Sequence, residues 1–212
     1  MPQYQTLMLL STFIPLVPVI VGIPFVRTGA KDQKILFVYL FISFLSSVVS
    51  TISAYHKMNN LWMTNLFTPF QFGMLMWLLS SWHATSVKKV FVWTIPIFIF
   101  LWLVAVTFFE NIRGFSSYVR PLEALVLISA SGYTLVKLTS EESDSILRIP
   151  SFWVASGILL YFTGMIVLFS LSSILLREDV ETLRLLWAPI QSVSNISSNL
   201  LFTAGFLCLR PR

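Results

Sequence analysis

Val90–Phe109 reads VFVWTIPIFIFLWLVAVTFF, a run without one charged side chain. As helix, about 20 residues rising 1.5 Å each match the roughly 30 Å hydrocarbon layer of a bilayer. A helix apolar on every face is either enclosed in a large protein core or surrounded by lipid. The rest of the chain decides between them. Of its 212 residues 56% are hydrophobic and only 11% are charged, with a mean hydropathy of +0.81. Soluble domains carry about a quarter charged residues, and fourteen basic plus nine acidic side chains cannot cover a surface of this size.

Working outward from that run, six more of similar length follow the same pattern. The seven together are approximately 7–26, 35–55, 61–82, 90–109, 116–138, 152–176 and 183–209. The sequence therefore predicts an all-α membrane protein of seven transmembrane helices, residues 1–212 forming a single domain. The connecting segments are too short for a separate soluble unit. Prolines at Pro15, Pro18, Pro69, Pro96 and Pro189 are expected to kink four of the helices.

Basic residues set the expected orientation. With the N-terminus outside, Arg27, Lys31, Lys34, Lys88, Lys89, Lys137, Arg148, Arg210 and Arg212 fall inside, and Lys57, Arg113, Arg120, Arg177 and Arg184 outside. Nine against five is the sense of the positive-inside rule, so the C-terminus is expected in the cytoplasm. The opening residues MPQYQT lack a basic signal-peptide n-region, so the first run is expected to be a retained helix. Tyr4, Tyr55, Trp62, Tyr118 and Trp187 suit the outer interface, and Trp82, Trp93 and Trp153 the inner one.

Several chemistries find no residues to carry them. One cysteine, Cys208, excludes an internal disulfide and a cysteine metal cluster; a small packing residue is expected there. His56 and His83 fall at opposite ends of neighbouring helices and cannot share a metal. Retinal-type attachment needs a lysine inside the last helix, where none exists. No glycine-rich phosphate loop, GxxxG pattern or nucleophile–base pair occurs, so neither an enzyme nor a bound cofactor is expected. The basic residues are scattered among loops without a stripe that could follow nucleic acid. The NIS sequence at Asn195–Ser197 lies within a predicted helix and is not read as a glycosylation site. EESD at 141–144 is expected as a solvated inner loop. The segment from Asp179 is expected as the capped start of the last helix, with Glu181 and Arg184 paired one turn apart.

Polar residues gather in the outer half of the predicted bundle. Gln191, Asn195 and Ser198 share one face of the seventh helix with Ser194, flanked by Ser192 and Asn199. At 1.5 Å per residue, Gln191 and Asn195 lie roughly 12 and 18 Å below the outer end, and Asn65 and Gln71 of the third helix roughly 6 and 15 Å. Glu123 comes roughly 10 Å down the fifth helix, in i, i+3 reach of Arg120. Ser43, Ser46, Ser47 and Ser50 cover the same levels in the second. Two readings fit this layer. Amides and hydroxyls can simply bridge helices, at about 0.6 kcal/mol each. Alternatively Glu123, Arg120, Asn65, Gln71, Gln191, Asn195 and Asn199 line a ligand-binding pocket, because an intramembrane carboxylate marks a functional site by default.

An internal echo adds a second functional reading. PFQ at 69–71 recurs as PIQ at 189–191, and LFIS at 40–43 aligns at the same 120-residue offset with LYFT at 160–163. That register makes the first three and last three helices parallel repeats around a linker, the arrangement of SWEET-type solute transporters.

FWVASGILLYFTG at 152–164, LWAPI at 186–190 and NLLFTAGFLC at 199–208 resemble a group of small, uncharacterised bacterial seven-helix membrane proteins of Bacteroidetes-type genomes. NLWMTNLF at 60–67 and PLEAL at 121–125 are similar to that group too. The resemblance implies a stand-alone protein of the cell inner membrane and carries over no functional residue. Together these readings predict a non-enzymatic protein that binds a small molecule or a partner's helix as a sensor or complex subunit. The expected partners are the lipid bilayer, a membrane protein or further copies of the chain, and a small ligand.

Overall fold

The computed structural model describes residues 5–56, 58–116, 118–141, 145–178 and 180–208. Tyr4, Lys57, residues 142–144, Asp179, Arg210 and Arg212 lie outside the described residues, as do the side chains of Glu141, Arg177 and Arg184. The expected acidic loop, helix cap and Glu181–Arg184 pair therefore fall outside them.

The described residues are helical almost throughout, with no strand among them. In chain order they form α1 (Gln5–Phe13), α2 (Leu16–Gly22), α3 (Phe25–Thr28), α4 (Lys31–Tyr55), α5 (Leu61–Ser80), α6 (Thr85–Phe108), α7 (Val119–Glu141), α8 (Pro150–Glu178) and α9 (Val180–Leu207). A 3-10 turn, Ile146–Arg148, precedes α8. Four stretches are long and apolar enough to cross a membrane: Lys31–Tyr55, Thr85–Phe108, Val119–Ser140 and Pro150–Ser172. They make the chain a helical protein of membrane type.

The first apolar run is not one helix. It divides into α1, α2 and α3, with Pro15 and Pro24 at the two joints. Each proline lacks an amide hydrogen and crowds the preceding turn, and Pro18 and Gly22 weaken the short piece between them. By contrast Pro69, Pro96 and Pro189 remain inside continuous helices, α5, α6 and α9. A single proline costs one ladder bond, which long packed helices tolerate.

Packing follows chain order around the bundle. The α1–α3 run lies against α4 and α9, α4 against α5, α5 against α7, α7 against α8, and α8 against α9. α6 sits outside this ring, touching α5 and α7. Its apolar side chains are largely exposed, Trp93 and Phe100 among them, while Phe98 turns inward and stacks on Phe72 at 3.9 Å.

The tightest contact is α8 on α9. A Cβ built on Gly157 would stand 2.7 Å from the Phe202 ring, and one on Gly164 would run into Ser194 Oγ. Glycine lets the two backbones approach, the small-residue packing that membrane helices favour. These glycines are seven residues apart, which is why no GxxxG pattern announces them.

At the end where α4 begins and α5 finishes, Trp82 Nε1 donates to Asp32 Oδ2 at 3.1 Å. Nearby, the buried His83 ring meets Thr134 Oγ1 through Nε2 at 2.9 Å. His56 lies at the other end of α4, beside Tyr55. Cys208, expected as a packing residue, is exposed instead, its thiol 3.5 Å from the Leu147 carbonyl oxygen. It falls just past the last residue of α9, Leu207.

Candidate functional site

Arg120, in the first turn of α7, and Glu123, one turn further on, point inward and are 9% and 3% exposed. One turn apart on a helix they share a face, yet they do not satisfy each other. Arg120 Nε and Glu123 Oε1 are both buried and without a hydrogen-bond partner among the described residues. A buried unpaired polar atom costs on the order of 1–3 kcal/mol, and more when charged, so this pair is an anomaly requiring a cause.

Rings enclose the guanidinium. Its Cζ lies 5.7 Å from the Phe115 centroid and 5.3 Å from that of Phe169. Trp187 of α9 meets both rings, edge-on to Phe115 at 5.4 Å and tilted against Phe169 at 6.2 Å. Cation–π attraction contributes about 0.5–2 kcal/mol per such contact once water is excluded. It holds the charge while leaving its N–H donors free for another acceptor. The phenols of Tyr39 on α4 and Tyr161 on α8 lie within electrostatic reach of the pair, with Ser43 beside the Tyr39 hydroxyl.

Gln191 joins this centre through Trp187, whose indole Nε1 donates to Gln191 Oε1 at 2.7 Å. Residues of α4, α8 and the α6–α7 connection therefore lie about the α7 pair, and α9 reaches it through the rings of Phe115 and Phe169.

The other predicted site residues have different engagements. Asn65 is 2% exposed and spends its amide on the α6–α7 connection. Its Nδ2 donates to the carbonyls of Ile112 and Gly114, each at 2.8 Å, and its Oδ1 accepts from Ser116 Oγ at 3.0 Å. Asn195 faces α1, donating to the Ser11 carbonyl at 2.8 Å and to Ser11 Oγ at 3.1 Å. Asn199 Nδ2 donates to Asn195 Oδ1 at 2.9 Å, while its own buried Oδ1 has no partner among the described residues. Gln71 is half-buried. The predicted layer thus divides into a charged centre on α7, a latch on the connecting loop, and an amide pair that fastens α9 to α1.

Phe115, Phe169, Trp187, Tyr39, Tyr161 and Glu110 belong to the neighbourhood without having been singled out as site residues. Trp187 alone had a sequence signal, its four-residue spacing from Gln191. The others are brought in by tertiary packing.

The connecting loop covers the centre. Asn59 Nδ2 donates to the Arg113 carbonyl at 2.8 Å, and Glu110 Oε1 accepts from the Tyr118 amide at 2.7 Å. With the Asn65 latch, these bonds fix the segment that presents Phe115 to Arg120. Beside it lies an open notch of 520 Å³, lined by Val106 to Ile112.

Among the described residues no group of three or more His, Cys, Asp or Glu side chains could hold a metal ion. Fold and site therefore define a helical protein of membrane type with a buried, incompletely paired charge centre. No family model, curated protein or solved structure matches the chain.

Proposed function

We propose that this chain is a non-enzymatic, single-domain protein of the bacterial inner membrane, crossing seven times with its N-terminus outside and its C-terminus in the cytoplasm. In this reading α1–α3 together, and each of α4 to α9, make one crossing. The Arg120–Glu123 centre is then a pocket in the outer half that binds a small ligand or a partner's helix. The chain acts as a sensor or as the membrane subunit of a larger assembly. One observation carries this reading: a buried guanidinium and a buried carboxyl group keep unpartnered polar atoms, with the Phe115 and Phe169 ring faces beside the guanidinium. Gln191 and Gln71 supply further amides, whereas Asn65, Asn195 and Asn199 shape the walls by fixing the loop and the last helix.

Cysteine labelling tests the pocket. In a Cys208→Ala background, Gln191→Cys is expected to react with a membrane-impermeant thiol reagent added from outside. Val193→Cys, two residues on and 56% exposed toward the expected lipid, is expected to stay unlabelled because thiolate chemistry needs water. Equal protection of both positions in folded protein overturns the hydrated pocket, and labelling only from the cytoplasmic side overturns the orientation.

The alternative is a small-solute transporter built from two parallel three-helix units. It draws support from the packing order: α1–α3, α4 and α5 form one sequential strip, α7, α8 and α9 another, and α6 lies outside both. Against it, the first helix of one strip is broken at prolines while its counterpart α7 is continuous. Uptake into proteoliposomes across a solute panel separates the two readings.

A further inference from the structure

Three buried side-chain atoms around the start of α7 lack a hydrogen-bond partner among the described residues: Glu110 Oε2, Arg120 Nε and Glu123 Oε1. Glu110 and Glu123 both act electrostatically on the Arg120 guanidinium, as does the phenol of Tyr161. The unmet set is two carboxylate acceptors and one donor. Two carboxylates against one guanidinium leave one excess negative charge when all three are ionised. An uncompensated charge of this kind is costly at membrane depth, so such groups are found paired. The guanidinium is already partly engaged by the Phe115 and Phe169 ring faces, which makes the carboxylates the groups most in need of a partner. The 520 Å³ notch along Val106–Ile112 includes Glu110 in its lining and opens at the end of α6.

Resting on the pocket reading above, we propose that this site takes a small primary ammonium ion. It enters along the notch, meets Glu110 first, and donates N–H hydrogens to the free oxygens of Glu110 and Glu123. A primary ammonium carries three donors and one positive charge, which supplies both acceptors and cancels the excess. A quaternary ammonium supplies the charge without the donors. A dissolved amine and the ethanolamine headgroup of a lipid share this chemistry.

The test uses the full chain in nanodiscs of phosphatidylcholine and phosphatidylglycerol, which contain no primary amine. Calorimetric unfolding is followed with ethylammonium, tetramethylammonium or propionate at equal ionic strength. Ethylammonium is expected to raise Tm by about 5 °C at a roughly hundredfold excess over its Kd, and Glu123→Gln to weaken it about tenfold or more. Should Glu123→Gln fail to fold, Glu110→Gln on the loop is expected to produce the same weakening. If the ethylammonium effect vanishes once phosphatidylethanolamine is added to the discs, the occupant is the lipid headgroup. If it persists there, the occupant is a solute. Equal stabilisation by tetramethylammonium overturns the hydrogen-bonded ammonium site, and stabilisation by propionate instead overturns its sign; both leave the pocket standing. No stabilisation by any probe, with a protonated-carboxyl infrared band that Glu123→Gln removes, shows a proton neutralising the site and sinks the proposal. The cysteine labelling above decides the pocket separately.

Discussion

The Trp187 indole donates to the Gln191 side-chain oxygen one turn further along α9, at 2.7 Å, while its ring lies edge-on to Phe115. One side chain thus fixes an amide of the last helix and supports the cage around Arg120. The two roles can be separated. Trp187→Phe keeps a ring and removes the donor, and is expected to cost about 1 kcal/mol. Trp187→Ala also opens the cage and is expected to cost about 3–5 kcal/mol. Equal unfolding midpoints for the two variants in nanodiscs would show that the ring contacts contribute nothing.

Asn65 is the latch for the loop that presents Phe115. Asn65→Leu removes two donors and an acceptor, leaving the Ile112 and Gly114 carbonyls without that amide. Hydrogen exchange is expected to quicken across residues 110–116 while α8 retains its protection, since local opening follows the bonds that hold a segment. Uniform quickening along every helix would instead mean that Asn65 supports the whole bundle.

The α8–α9 contact predicts a contrast between two glycines. Gly164→Val drives a branched side chain into Ser194 and is expected to destabilise by about 1–3 kcal/mol or to separate the helices. Gly132→Ala on α7 meets nothing within 4 Å. It is expected to be neutral or to stabilise by about 0.5–1 kcal/mol, as alanine replaces glycine inside a helix. Thermal unfolding of the two variants side by side checks the packing. A tolerated Gly164→Val would refute this close approach.

Helix positions were legible because apolar runs of membrane length leave few alternatives. Pro15 and Pro18 signalled a kink in the first run, whereas the helix breaks outright at Pro15 and again at Pro24; Arg120 with Glu123 was signalled by a carboxylate one turn from a cation. Depth arithmetic along single helices could not reveal rotation about each axis. Asn65 and Asn195 stand at levels compatible with a shared site, yet Asn65 turns to the loop at Gly114 and Asn195 to Ser11. The Phe115–Phe169–Trp187 cage was hidden for another reason. Aromatic residues are abundant throughout this chain, and nothing local distinguishes a ring that faces a guanidinium from one that faces lipid.

Glu123 offers the clearest test of whether the centre matters more than ordinary charge. Glu123→Gln keeps the shape and removes the ionisable group, leaving the buried Arg120 guanidinium with Glu110 as the remaining carboxylate acting on it. Breaking a buried pair from one side costs about 3–5 kcal/mol in proteins at large, because the surviving charge stays out of water. Here Arg120 keeps the faces of Phe115 and Phe169, so a value near the lower end, about 3 kcal/mol, is expected. Lys89→Gln, at an exposed position near the start of α6, is expected to change stability by no more than about 0.5 kcal/mol. Denaturation of both variants in the same nanodiscs measures the difference. Equal midpoints would mean that Glu123 is already neutral in the folded chain, and the charge-based account of the pocket would then lose its foundation.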